Sequence, residues 1–232
     1  MSQVEKVPVG SPNPLYGCAI FVIILSVMGG IVSWVLYSGL KQNQEIGEFA
    51  VDKADPLPVA EVSAEARTAL QQKIGAFAND SSAGKEAVLS LGVQELNELI
   101  VLAGESNIAD YRGMVKFTGF NQAENMLLAD LVWPLNRLSF TDKSKRYLVG
   151  KAAFKPIIEQ GSFDLKIETL DVPGKTVSVG FAKSLGNWPW LNLAKLNPTV
   201  AETMKKVTSF QVTSDGTRFE LKTTVTAVAN PQ

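Results

Sequence analysis

The residues able to carry catalysis are few, and their types exclude most familiar chemistries. The 232-residue chain has no histidine, which removes the commonest general base, pH switch and metal ligand together. Its one cysteine, Cys18, lies inside an apolar N-terminal stretch, so neither an intrachain disulfide nor a cysteine-ligated zinc site can form. A Ser-His-Asp or Cys-His arrangement is therefore impossible. Neither G-x-x-x-x-G-K-[ST] nor G-x-G-x-x-G occurs, so the glycine-rich phosphate cradles are missing too. Carboxylate pairs remain, Glu95 and Glu98 among them, but exposed helix acids explain that pair better than a glycosidase-like site. A serine–lysine dyad is compatible with the composition, and no spacing marks one out. No enzymatic activity, cofactor or metal is expected.

The residues that stand out are apolar. In the stretch 185–196 (LGNWPWLNLAKL), Trp188 and Trp190 flank Pro189, with Leu191 and Leu193 following. Such side chains can plug one end of a core. They can also form a loop that dips into a membrane interface or closes an apolar groove, because tryptophan favours places with one apolar and one wet side. On that second reading Trp188, Trp190 and Leu191 form the interface loop. Phe163, Leu165, Ile167 and Phe181 are the candidate lining of an apolar groove.

The elements that would position these residues begin with an anchor. No charge occurs between Lys6 and Lys41, and residues 15–40 are almost continuously apolar over 26 positions. At about 1.5 Å per residue they span roughly 39 Å, enough for a ~30 Å hydrocarbon core. Tyr16 near one end and Trp34 and Tyr37 near the other suit the headgroup zones. A cleaved signal peptide would have a shorter apolar core and a better small-residue site than Ser38-Gly39-Leu40. A lipoprotein box at Cys18 fails because its apolar region follows the cysteine. A buried soluble helix is disfavoured by the length and all-round apolarity. Ser26/Gly30 and Gly29/Ser33 have the spacing that lets membrane helices approach, although glycine is frequent in such helices anyway.

Charge is distributed unevenly along the rest. Residues 41–110 hold 5 Lys/Arg against 12 Asp/Glu, and residues 111–232 hold 16 against 10. A solvating acidic segment followed by a mildly basic folded part is the simplest reading. The lysines are scattered, so no nucleic-acid partner is expected.

Residues 41–60, acidic and carrying Pro56 and Pro58, read as a linker. Val62, Ala66, Leu70, Ile74 and Phe77 then fall at helical spacing, with Ser63 as N-cap. Residues 79–84 (NDSSAG) read as a loop. A short strand at 88–91 leads into a second helix over 93–102 that buries Leu96, Leu99 and Ile100. Extended segments follow at 114–120, 126–133, 147–154 and 163–167, and Val177, Val179 and Phe181 resume the alternation as a fifth strand after the Pro173-Gly174 turn. A third helix is expected from Pro198 to about Val207. A closing hairpin carries Phe210, Val212, Phe219, Leu221, Thr223 and Val225 around Asp215-Gly216.

These segments carry a family resemblance. A single N-terminal span, then V-L-S-L-x-x-x-E-L-N-E-L-I (88–100), then G-S-F-D-L-K-I-E-T-L-D-V-P-G-K (161–175) resembles uncharacterised single-pass bacterial envelope proteins of the YpmS-like group. Gly92 stands where that pattern has a threonine. The resemblance implies a strand leading into a helix with E-L-N, a curved antiparallel sheet after it, and an outline similar to tubular lipid-binding domains. It supplies no catalytic residues.

The expected architecture is thus α+β: a tail (1–14), a transmembrane helix (15–40), a linker (41–60), and a domain (61–230) with a curved antiparallel sheet covered by two or three helices. The expected protein is a non-enzymatic single-pass protein of a bacterial cytoplasmic membrane, its C-terminal domain extracytoplasmic. Its partners would be the bilayer and either a lipid or apolar ligand or another envelope protein. The alternative is a structural subunit or scaffold of an envelope membrane complex.

Overall fold

The long uncharged run has no charged side chain to interrupt a helix, and it forms one. In the computed structural model, which describes residues 14–135, 145–159, 162–191 and 195–224, helix α1 runs Pro14–Phe49. Its apolar side chains from Phe21 to Leu36 are exposed on every side. By length and composition the stretch Phe21–Phe49 can cross a membrane. The chain divides into two units, Met1–Gln44 and Glu45–Gln232, so the last turn of α1 belongs to the second unit.

That second unit is α+β with antiparallel sheets. Helix α2 (Ala64–Ser82) precedes strand β1 (Ala87–Gly92), helix α3 (Val93–Glu105), strands β2 (Val115–Asn121), β3 (Met126–Leu135), β4 (Arg146–Glu159) and β5 (Ser162–Asp171), helices α4 (Val179–Gly186) and α5 (Pro198–Lys205), and strands β6 (Val207–Val212) and β7 (Arg218–Thr223). The helices start where the sequence provides caps. The hydroxyls of Ser63 and Ser178 accept from the amides of Ala66 and Phe181, and the Asn197 side chain accepts from Thr199 ahead of Pro198.

Among the described residues two sheets are present where one was expected. β2-β3-β4-β5 form a four-stranded meander, and β1-β7-β6 form a three-stranded sheet. The hairpin β6–β7 therefore pairs with β1, far upstream, instead of closing the meander; Leu89 lies opposite Leu221. In the meander, Lys116, Asp130, Lys151 and Asp171 lie directly opposite one another across all four strands. Such alternating cross-strand pairs contribute about 0.2–1 kcal/mol each, and a one-residue slip of any strand would break the row. A single core joins both sheets through Leu89, Leu221, Phe219, Leu131, Leu148 and Phe154, with Leu70 and Phe77 of α2.

Two other expectations are corrected. The expected fifth strand at Val177–Phe181 is the capped start of α4. Strict alternation would put Val179 on the face of Phe181, yet Val179 is 85% exposed while Phe181 and Leu185 pack inward at helical spacing. The expected loop at 79–84 is helical through Ser82 and ends at Gly84 with φ 71°, a conformation glycine adopts without strain. The third expected helix is found over Pro198–Lys205, close to its expected bounds, and Val207 is buried in β6.

The expected linker is also structured where it leaves α1. Phe49 is 1% exposed, its ring 4.7 Å from Phe181. Val51 exchanges two 2.8 Å backbone hydrogen bonds with Tyr147, and the Leu57 amide donates to the Gly113 carbonyl. Of the expected hairpin, Val225 lies outside the described residues, as does Leu193 of the tryptophan stretch.

Candidate functional site

The E-L-N segment of α3 gathers polar contacts from α2 and three strands. Glu95 is the N3 residue, and its carboxylate accepts from the Gly92 amide at 2.8 Å. Glycine has no side chain to return that bond, so only the glutamate half of a capping box exists here. The same carboxylate pairs with Lys73 of α2 at 2.6 Å and Arg218 of β7 at 2.7 Å. Arg218 also donates to the Ser90 hydroxyl and carbonyl in β1. Partial burial raises the Glu95 pKa, but the Lys73 hydrogen bond, the Gly92 amide and the charges of Lys73 and Arg218 outweigh it, so the net shift is downward. An acid this well paired stays ionised. It ties two helices to two strands and is a poor proton donor or nucleophile.

Glu98 does not face solvent as an exposed helix acid would. It is 4% exposed and accepts from Gln94 at 2.9 Å. Glu95 and Glu98 therefore have separate partners. Between them, Leu96 is buried, and the Asn97 amide spans the free edge of β2. It accepts from the Phe117 amide at 2.8 Å and donates to the Phe117 carbonyl at 2.9 Å. A side-chain amide thereby occupies the place of a neighbouring strand.

The tryptophan stretch divides between core and surface. Trp190 is 4% exposed, enclosed by Trp133 (4.9 Å between ring centroids), Phe154 (5.1 Å, perpendicular) and Tyr111 (5.6 Å). Trp188 is 46% exposed and meets Trp133 edge-on at 5.6 Å. Burial raises the Tyr111 pKa; a hydrogen bond from Trp188 opposes this and the Asp164 charge adds to it. Leu191 is half-buried against the core. Of the groove residues, Phe163, Leu165 and Ile167 alternate onto the inner face of β5. Phe163 and Ile167 are buried in the core, and Leu165 and Phe181 pack against it. A cavity of about 10 Å³ beside Asn97, Ile100 and Arg112 has room for about one water molecule.

Among the described residues no three His, Cys, Asp or Glu side chains gather as a metal site. Lys206 comes to a buried serine, Ser81, but its ammonium approaches the carbonyl at 3.5 Å and not the hydroxyl. The roles of Asn97 and Arg218 escaped sequence reasoning. Both depend on pairing with residues far along the chain, and the only local signal was the E-L-N motif itself. No family model, curated protein or solved structure matches the chain.

Proposed function

We propose that the chain is a non-enzymatic single-pass protein of a bacterial cytoplasmic membrane. In this reading α1 crosses the bilayer, and the unit from Glu45 onward lies outside the cytoplasm as a scaffold that engages another envelope protein. The observation that carries it is the use of the apolar side chains: Phe163 and Ile167 are buried in the core and Phe181 lies against Phe49. A carrier of apolar ligands would keep such side chains around a cavity. The lack of charge along residues 15–40 and the exposure of the apolar side chains from Phe21 to Leu36 support the anchor. The resemblance to YpmS-like envelope proteins agrees with this placement.

A second reading, contact with lipid, draws on Trp188, which leaves its aromatic cluster with nearly half its surface in solvent. The two readings separate in liposome flotation of the unit from Glu45 onward, freed from the anchor. Contact with lipid predicts that this unit floats with vesicles and that Trp188→Ala abolishes the flotation; the scaffold reading predicts that it stays at the bottom with or without the substitution. Topology is tested by a cysteine placed at Asp215 in the closing turn and labelled with a membrane-impermeant maleimide on intact spheroplasts. Labelling is expected; labelling only after lysis would refute the extracytoplasmic placement.

A further inference from the structure

Among the described residues from Glu45 onward, Trp188 is the only aromatic side chain that is exposed. It follows the C-cap of α4, its amide donating to the Leu185 carbonyl at 3.1 Å, and its ring stands edge-on to Trp133 at 5.6 Å. Trp133 and Tyr111 are half-buried, with ring centroids 6.1 Å apart, and both meet the buried Trp190. The Trp188 indole N–H is taken up inside the cluster by the Tyr111 hydroxyl. What this residue presents to solvent is therefore ring surface, whose faces are electron-rich. One carboxylate stands near. The negative charge of Asp164 reaches Tyr111 and adds to the upward push of burial on its pKa. Asp164 is half-buried and accepts from the amide of the next residue, Leu165, at 2.7 Å. No lysine or arginine among the described residues pairs with it.

An electron-rich ring beside a carboxylate without a counter-ion calls for a cation. Of the cations a protein offers, a guanidinium suits the pair best. It is planar and weakly hydrated, it stacks on aromatic faces, and it still presents N–H groups to a carboxylate. Tryptophan, tyrosine and arginine are also the side chains on which protein interfaces most depend. A bilayer suits the site less. Tryptophan at a membrane interface keeps its N–H at the wet end, whereas this N–H is already bonded, and an anionic lipid surface would be repelled by Asp164. We propose that Trp188, with Trp133 and Tyr111 beside it and the Asp164 carboxylate near, receives an arginine side chain of the envelope protein that the scaffold engages, an inference that rests on the scaffold reading. The guanidinium stacks on the exposed indole and donates to the Asp164 carboxylate.

Fluorine NMR of the full chain in nanodiscs, with fluorotryptophan at all four tryptophans, tests the site. The probe is N-acetyl-arginine amide, titrated at constant ionic strength. The Trp188 signal should shift saturably while that of Trp34, in α1, stays in place. N-acetyl-citrulline amide has nearly the same shape without the charge, and should bind more weakly by about 2- to 30-fold, the usual range for a cation over an aromatic face. Asp164→Asn should weaken the arginine response severalfold, and Trp188→Ala should leave the Trp133 signal indifferent to the probe. Should Trp188→Ala fail to fold, Asp164→Asn and the citrulline probe carry the test. Equal responses to the two probes, or equal shifts at all four tryptophans, would overturn the proposal. So would a Trp188 signal that ignores arginine and is broadened by spin-labelled lipid in the nanodisc, which would place the ring in the bilayer. Flotation of the unit from Glu45 onward judges the scaffold reading separately: a unit that stays at the bottom and ignores arginine keeps that reading and loses this site.

Discussion

Asn97 is the residue whose role the contacts define most completely. Its amide satisfies both backbone groups of Phe117 on a strand edge that has no strand neighbour among the described residues. Leaving such groups unpaired costs about 1–3 kcal/mol each where water is restricted. Asn97→Ala should therefore lower stability by about 2 kcal/mol in urea unfolding, and Asn97→Asp, which keeps only the acceptor, should fall between. An alanine variant as stable as the parent would show that water serves that edge equally well. Glu95 contributes to the acid response. Its folded pKa is lowered, as are those of Glu105 and Asp110, and Asp215 falls to about 2. Carboxylates held below their unfolded values bind fewer protons when folded, so their stabilisation is full above the unfolded pKa near ~4 and is lost as pH falls through the folded pKa. With no histidine in the chain, stability should be nearly flat from about pH 5.5 to 8 and should decline below about pH 4.5. Glu95→Gln should flatten part of that decline. A steep loss between pH 6 and 7 would contradict the assignment.

At the scale of elements, local signals were legible and competing periods were not. Ser63, Pro198 and Asp215-Gly216 each mark an element end by chemistry within a few residues, and each is found in that role. Val177, Val179 and Phe181 fit a two-residue period, but Phe181 and Leu185 also fit a helix. Only the Ser178 cap and the approach of α4 to β5 decide between them. Gly186 makes that approach close: a Cβ there would come within 2.9 Å of the Ile167 carbonyl. Gly186→Ala should push α4 off β5 and cost about 1–3 kcal/mol in thermal unfolding. Gly180→Ala, in the same helix with nothing within 4 Å, should be neutral or stabilising by up to about 1 kcal/mol. Equal effects at the two positions would mean that the helix does not rest on the strand as described.

For the whole molecule, the boundary of the folded unit matters more than any single contact. Acidic residues and prolines made 41–60 read as a linker, which hid the helical pair Ile46 and Phe49 that packs on the core. The split into two sheets was equally hidden, because β1 and β7 join residues as far apart as Ala87 and Thr223, 136 positions distant, and no local pattern reports such a pairing. A fragment beginning at Ala60 therefore loses Phe49. It should be less stable than one beginning at Glu45 by about 3–5 kcal/mol, the usual cost of removing a buried phenylalanine, as read from paired denaturation curves. Equal stability would return 41–60 to the status of a linker. The candidate site was legible only as a set of apolar residues; whether they line a void or fill a core depends on packing that the sequence does not express. The most direct test of the scaffold reading is native mass spectrometry of the full chain released from detergent micelles, followed by lipid extraction. We expect the mass of the chain with no lipid retained at fixed stoichiometry once loosely attached lipid is stripped by activation. One lipid held per chain through that activation would contradict the account and make the second unit a lipid-binding domain.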